Sequence, residues 1–220
     1  MTVSPRSATT PARSTPRLYL VTPPLDAPTL TAQLAAALDA ADVAAVLARA
    51  PAAGEALASE RLRAIAPIVQ DRGVALLIDG NPASVAPAGA DGAHLTGIAA
   101  LDAALPILKP AHIAGCGGLF GRDDAMRAGE RGADYVMFGE PDLDGRRPTF
   151  GAILDRVAWW AELFEVPSVG WAASLDEIAE LAAAGADFVA IGAPIWTHAD
   201  GPGLAVAAAA ARLKLPEPAS

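Results

Sequence analysis

The sequence predicts a (β/α)8 barrel in a single domain. Two observations carry that reading. Three segments repeat one phrase, Gly-Ala-Asp followed by a short apolar run: Gly89-Ala90-Asp91-Gly92-Ala93-His94-Leu95, Gly132-Ala133-Asp134-Tyr135-Val136-Met137-Phe138 and Gly185-Ala186-Asp187-Phe188-Val189-Ala190-Ile191. Glycine there suits the left-handed residue that stops a helix, Asp suits the turn, and the apolar run suits a strand buried on both faces. Eight strand segments alternating with eight helical slots then fit a closed parallel barrel. A doubly wound open sheet is the competitor, but its nucleotide-binding form opens with a Gly-rich first turn that this chain lacks.

The elements follow in order from residue 17. Leu18-Tyr19-Leu20-Val21 is the first strand, stopped by Pro23-Pro24. A helix over 30–40 follows, with Thr29 as its N-cap. Strand two covers 43–47. A long helix over 54–72 carries apolar residues at Leu57, Leu62, Ile65 and Ile68, is kinked or broken by Pro67, and is capped by Gly73. Strand three is 74–78, and 82–87 forms at most a short helix. Strand four is 93–95, followed by a helix over 98–105 that Pro106 ends. Strand five is 112–114, then a helix over 123–131, strand six over 135–138 and a polar loop over 140–148. A helix over 150–164, strand seven over 168–170, a helix over 175–184, strand eight over 188–191 and a last helix over 203–213 complete the chain. The organisation is a disordered tail over 1–16, a barrel over 17–214 and a short C-terminal tail over 215–220. The first tail is Arg-, Ser- and Pro-containing without acid, a pattern shared with transit peptides, but Pro5, Pro11 and Pro16 interrupt any amphipathic helix in it.

A net charge of −9 argues against general nucleic-acid binding, which needs a basic surface. It does not exclude a phosphate ligand held by backbone N–H groups. No run of about 18 uncharged apolar residues occurs, so no membrane span is expected. The one cysteine, Cys116, rules out a disulfide framework within the chain and fits a cytoplasmic protein.

The three repeated phrases resemble the scaffold of the thiamine phosphate synthase and TenI family, and the resemblance runs over about residues 17–213. It implies a TIM barrel acting in thiamine biosynthesis or salvage. The implied reaction joins aminopyrimidine methyl pyrophosphate to thiazole phosphate, with pyrophosphate leaving under the influence of Mg2+ and the thiazole nitrogen attacking the resulting cation. Its partners would be small phosphorylated thiamine precursors, with a homodimer also in view. The alternative is a non-catalytic or tautomerase-like paralogue that binds a thiamine precursor or a partner protein. A third reading is another phosphate-ester enzyme on the same barrel.

Carried over residue by residue, the resemblance is degenerate at the site. Of a Gln-x-Arg-x-Lys clamp only Arg49 remains, within Leu47-Ala48-Arg49-Ala50-Pro51. The metal-binding Asn-Asp reads Asp79-Gly80, with Asn81 next, so Asp79 is the one metal candidate, and Ala99 stands where a second metal Asp belongs. The phosphate cradles read Ala172-Ala173 and Gly192-Ala193. Thr96 closes strand four, and Arg146 or Arg147 stands in for a Lys that meets pyrophosphate. The tautomerase branch uses a His after strand five; here that loop carries Cys116, which reads as a small core residue. His94 reads as scaffold, His112 lies at the opposite end, and His198 sits in a solvated loop. Trp171 could narrow the pocket or stack on a ring, and Trp159-Trp160 suits helix packing or a dimer face.

Overall fold

The computed structural model describes residues 15–24, 27–49, 55–142 and 144–214. The expectations for residues 1–14 and 215–220, and for Gly54 and Pro51, lie outside the described residues. Eight parallel strands close on themselves in sequence order: β1 (Arg17–Val21), β2 (Val43–Ala48), β3 (Ala75–Asp79), β4 (Gly92–Thr96), β5 (Ile113–Gly117), β6 (Tyr135–Phe138), β7 (Ser168–Ala172) and β8 (Phe188–Ile191). The helices between and after them are α1 (Ala27–Leu38), α2 (Glu55–Gln70), α3 (Val85–Ala88), α4 (Ile98–Leu108), α5 (Arg122–Glu130), α6 (Phe150–Leu163), α7 (Glu177–Ala184), α8 (Ala193–Trp196) and α9 (Pro202–Arg212).

Period-two alternation divides each strand between two cores. Leu18, Leu20, Val46, Leu76 and Ile78 face the helices, while Tyr19, Val21, Leu47, Leu77, Tyr135, Met137, Val169 and Trp171 fill the barrel. The repeated Gly-Ala-Asp phrase serves this closure directly. Gly89, Gly132 and Gly185 all have positive φ, between 68° and 97°, as the helix-stop reading requires. Each following Asp does more than turn the chain. The carboxylates of Asp91, Asp134 and Asp187 accept the backbone N–H of Leu76, Ala114 and Ser168 at 2.7, 2.6 and 2.8 Å. The entries of β4, β6 and β8 are thus tied to β3, β5 and β7.

Four local expectations need correction. Thr29 lies inside α1, which starts at Ala27, so it is not the N-cap. Pro67 does not break its helix: α2 runs on to Gln70, because the bond that proline forfeits falls in the last turns. Pro106 likewise sits within α4, which continues to Leu108. Strand seven is longer than the alternation suggested and takes in Trp171 and Ala172. A one-turn helix, α8, follows β8 unannounced, and its Trp196 indole N–H donates to the Val21 carbonyl at 2.7 Å. No helix among the described residues is long and apolar enough to cross a membrane.

Candidate active site

The C-terminal ends of the strands open into two cavities. The larger, about 680 Å³, is lined by Arg49, Asp79, Thr96, Gly118, Phe120 and Glu140, and by the loop after β6 through Arg146, Arg147 and Pro148. The smaller, about 390 Å³, is lined by Val21, Thr22, Trp171, Ala172, Ala173, Gly192, Ala193 and Pro194. Arg49 and Pro141 belong to both walls. The strand-end residues singled out from the sequence are therefore brought together, in two groups that meet at Arg49. Asn81 is the exception. It precedes a 3-10 turn at Pro82–Ser84 and lines neither cavity.

Arg49 follows β2, its backbone N–H held by the Thr22 hydroxyl at 3.0 Å. Its guanidinium lies 3.3 Å from Asp79 Oδ2, 3.6 Å from Glu140 Oε1 and 5.4 Å from the centre of the Trp171 ring. Neither carboxylate contact has hydrogen-bond geometry, and Nε is buried without a hydrogen-bond partner. A cation held by charge and a ring face, its side chain 35% exposed in the cavity wall, suits an anionic ligand. Burial raises the Asp79 pKa above its ordinary value, against the opposing charges of His94 and Arg49.

Below this rim runs a chain of polar side chains inside the barrel. The Tyr19 and Tyr135 hydroxyls are 2.8 Å apart, Tyr135 lies 2.9 Å from His94 Nδ1, and His94 Nε2 lies 3.2 Å from Glu140 Oε2. Burial works against ionisation of Glu140, but the His94 hydrogen bond, the charges of His94 and Arg49 and the Gly118 N–H outweigh it and lower its pKa. An ionised carboxylate only accepts, so His94 Nε2 donates. The Tyr135 hydroxyl bridges Nδ1 and the Tyr19 hydroxyl, which gives every hydroxyl a partner. The chain depends on glycines in β5. A Cβ on Gly115 would lie 1.9 Å from the Tyr135 ring, and one on Gly117 would lie 2.4 Å from Glu140 Oε2 and 2.6 Å from His94 Nε2.

The sequence placed Glu140 only within a charged loop after strand six, gave Tyr135 and Tyr19 no role beyond their strands, and marked His94 as scaffold. The signal was available in the alternation of β1 and β6, which turns both tyrosines inward, and in the two glycines opposite them.

The loop residues divide. Arg146 is exposed and pairs with Asp142 and Asp144 at 3.3 and 2.5 Å. Arg147 makes a two-pronged pair with Glu177 at 3.0 and 2.5 Å. Glu177 also accepts the Ala173 N–H at 2.7 Å, so a carboxylate of the chain occupies part of the cradle expected at Ala172-Ala173. Gly192 and Ala193 open the turn into α8. Burial pushes the Cys116 thiol up to about 12, which keeps it protonated and out of acid–base work at neutral pH. His198 lies 4.0 Å from Asp200 in its loop, away from both cavities. Trp160 is buried, donates to the Val166 carbonyl at 2.6 Å and stacks on Phe164, so it serves helix packing.

The chain is similar to known proteins over most of its length. The family model described as thiamine monophosphate synthase matches residues 18–195. A thiamine-phosphate synthase of Rhodospirillum centenum is 38% identical over 200 residues, covering 87% of this chain and 94% of that protein. One from Hyphomonas neptunium is 33% identical over 201 residues, covering 87% and 91%. In fold, the chain is similar to a thiamine phosphate pyrophosphorylase from Pyrococcus furiosus, with a TM-score of 0.74 at 19% identity over 90% of this chain and 95% of that one. It is also similar to 3-hexulose-6-phosphate synthase from Salmonella typhimurium, with a TM-score of 0.68 at 19% identity over 90% and 98%. With a family model spanning most of its length and relatives matched almost end to end, the chain belongs to the thiamine monophosphate synthase family.

Proposed function

We propose that the chain acts in thiamine biosynthesis as a thiamine-phosphate synthase, joining aminopyrimidine methyl pyrophosphate to thiazole phosphate and releasing pyrophosphate. The observation that carries this reading is the pair of adjoining cavities that share Arg49. A two-substrate condensation needs two compartments in contact, so that the reacting atoms meet without a diffusional step.

In this reading the larger cavity takes the pyrimidine pyrophosphate. Arg49, whose side chain is 35% exposed, and Arg146 meet the leaving group, and Thr96 closes the wall. Arg147 joins them by exchanging Glu177 for phosphate. The smaller cavity takes thiazole phosphate against the backbone at Gly192-Ala193 and Ala172-Ala173, with the Trp171 ring beside it.

Members of this family are in general Mg2+-dependent. The donor chemistry present fits a modest version of such a site. Mg2+ commonly takes one or two carboxylates and completes its shell with phosphate oxygens and water. Asp79 supplies one hard carboxylate at the cavity wall, and its charge, incompletely balanced by Arg49, would gain from a cation. When bound, the ion would neutralise charge on the departing pyrophosphate.

The test is a condensation assay with purified protein, both substrates and Mg2+, scored for thiamine phosphate against a no-enzyme blank. Product above the blank supports the reading. No product, alongside a working synthase as control, overturns it and leaves a precursor-binding paralogue.

A further inference from the structure

Glu140 has no part in the roles assigned so far, yet it is the most enclosed charge of the larger cavity, its side chain 7% exposed. We propose that Glu140 accepts a hydrogen bond from the amino group of the aminopyrimidine ring, and so fixes which ring enters the cavity and which end of it goes in first. This rests on the synthase reading.

The valence of the carboxylate supports the assignment. Oε2 is engaged by His94 at 3.2 Å and the carboxylate also takes the Gly118 N–H, whereas Oε1 lies 3.6 Å from Arg49, beyond a hydrogen bond. A carboxylate offers about four acceptor sites, so Glu140 keeps capacity toward the cavity. The sign of the charge sets what can use that capacity. A phosphate group beside a buried carboxylate is repelled; an N–H donor is attracted. The cavity as a whole has a polarity to match. Glu140 lies deepest at 7% exposure, Asp79 and Arg49 lie further out at 29% and 35%, and the Arg146 side chain, 75% exposed, lies at the rim. A ligand with donors at one end and negative charge at the other fits in one orientation only, ring inward and pyrophosphate outward.

Glu140 is also held rigidly enough to discriminate. The Tyr19–Tyr135–His94 chain fixes one oxygen from below, and the missing side chain at Gly117 lets His94 and Glu140 meet. The consequence extends to the chemical step. As the C–O bond to pyrophosphate breaks, its electron pair leaves with pyrophosphate and positive charge spreads over the ring and its amino nitrogen. A fixed carboxylate at that nitrogen stabilises the cation without transferring a proton.

The experiment uses three probes with the full chain, by calorimetric titration: the aminopyrimidine methyl alcohol, its analogue lacking the amino group, and inorganic pyrophosphate. The wild-type chain should prefer the amino alcohol by roughly 10–100-fold, the value of one charge-assisted hydrogen bond. Glu140→Gln should lose that preference to within about threefold while binding pyrophosphate unchanged or more tightly. Because the preference is read as a ratio between two ligands on the same protein, a partly destabilised variant does not obscure it, and Glu140→Asp, which keeps the charge but withdraws it, should show an intermediate ratio. A wild-type chain that binds pyrophosphate but does not distinguish the two alcohols overturns the assignment and leaves the synthase reading standing. So does a Glu140→Gln variant that keeps the full preference. A chain that binds none of the three probes overturns the reading as well.

Discussion

A carboxylate as enclosed as Glu140 stays charged only because its surroundings are arranged around it, and that arrangement makes its contribution depend on pH. Its pKa in the folded chain lies below the ordinary 4.5 despite burial, because the His94 hydrogen bond and the positive charges nearby outweigh desolvation. A depressed folded pKa means that the stability it adds is fully present above the unfolded value and is lost as pH falls through the folded one. Glu140→Gln is therefore expected to be less stable than wild type at pH 7 by roughly 1–3 kcal/mol, the size of a hydrogen bond to a charged group. The gap should narrow as pH drops below the ordinary unfolded glutamate value of about 4.3, where the unfolded chain takes up a proton that the folded one still resists. Denaturant melts of both proteins at pH 7 and pH 3.5 measure it; an equal gap at both would show that the amide disturbs packing rather than removing a charge. At this scale the sequence was informative where chemistry sits at strand ends. Arg49 and Asp79 could be placed on the rim by counting along a strand. The partners beneath them could not, because His94 can face inward or outward until the register is known, and Tyr135 looks like any other apolar strand residue.

Elements come next, and β5 shows how a strand with almost no side chains shapes the centre. Its sequence, Ile113-Ala114-Gly115-Cys116-Gly117, places glycine at both upper inward positions. Gly115 leaves room for the Tyr135 ring and Gly117 for the His94–Glu140 contact. Gly115→Ala puts a methyl carbon 1.9 Å from a ring whose other edge is fixed by Tyr19. Overpacking of this kind costs about 1–3 kcal/mol and displaces what it strikes. The variant is expected to melt several degrees lower by circular dichroism. A wild-type melting temperature would mean that the Tyr135 ring has freedom the structure does not suggest. The (β/α)8 order itself was legible, because three repeats of one helix-stop phrase cannot arise from composition alone. What the phrase did not reveal was the reach of its Asp. A side chain that serves the neighbouring strand's N–H reads locally as turn chemistry, and only the closed sheet shows the other partner. The boundary missed at Pro106, and the absence of a break at Pro67, have a common cause: near a helix end, proline forfeits a bond that fraying would weaken anyway.

For the molecule as a whole, closure of the barrel makes one guanidinium the junction of two compartments. Strands β3, β4 and β6 bring Asp79, Thr96 and Glu140 to one side of Arg49, while β1, β7 and β8 bring Val21, Trp171 and Gly192 to the other. No open sheet would place these edges on both sides of a residue from β2. Arg49→Ala is consequently expected to weaken both substrates together. It removes the cation that lies over Trp171 in the wall of the second cavity and, on the proposed reading, one charge-assisted contact to pyrophosphate. With a contact of this type worth about 1.5–3 kcal/mol, kcat/KM should fall roughly 10–150-fold for the pyrimidine substrate, with a smaller loss for the thiazole. Arg49→Lys should recover only part of it, since an ammonium restores the charge but not the planar fork that meets phosphate and ring at once. Steady-state kinetics with each substrate varied at saturating levels of the other would decide the matter. A loss confined to the pyrimidine side would mean that Arg49 belongs to one compartment and that Trp171 holds its place without it. A loss on both sides would make the shared wall the feature that couples the two halves of the barrel in one reaction.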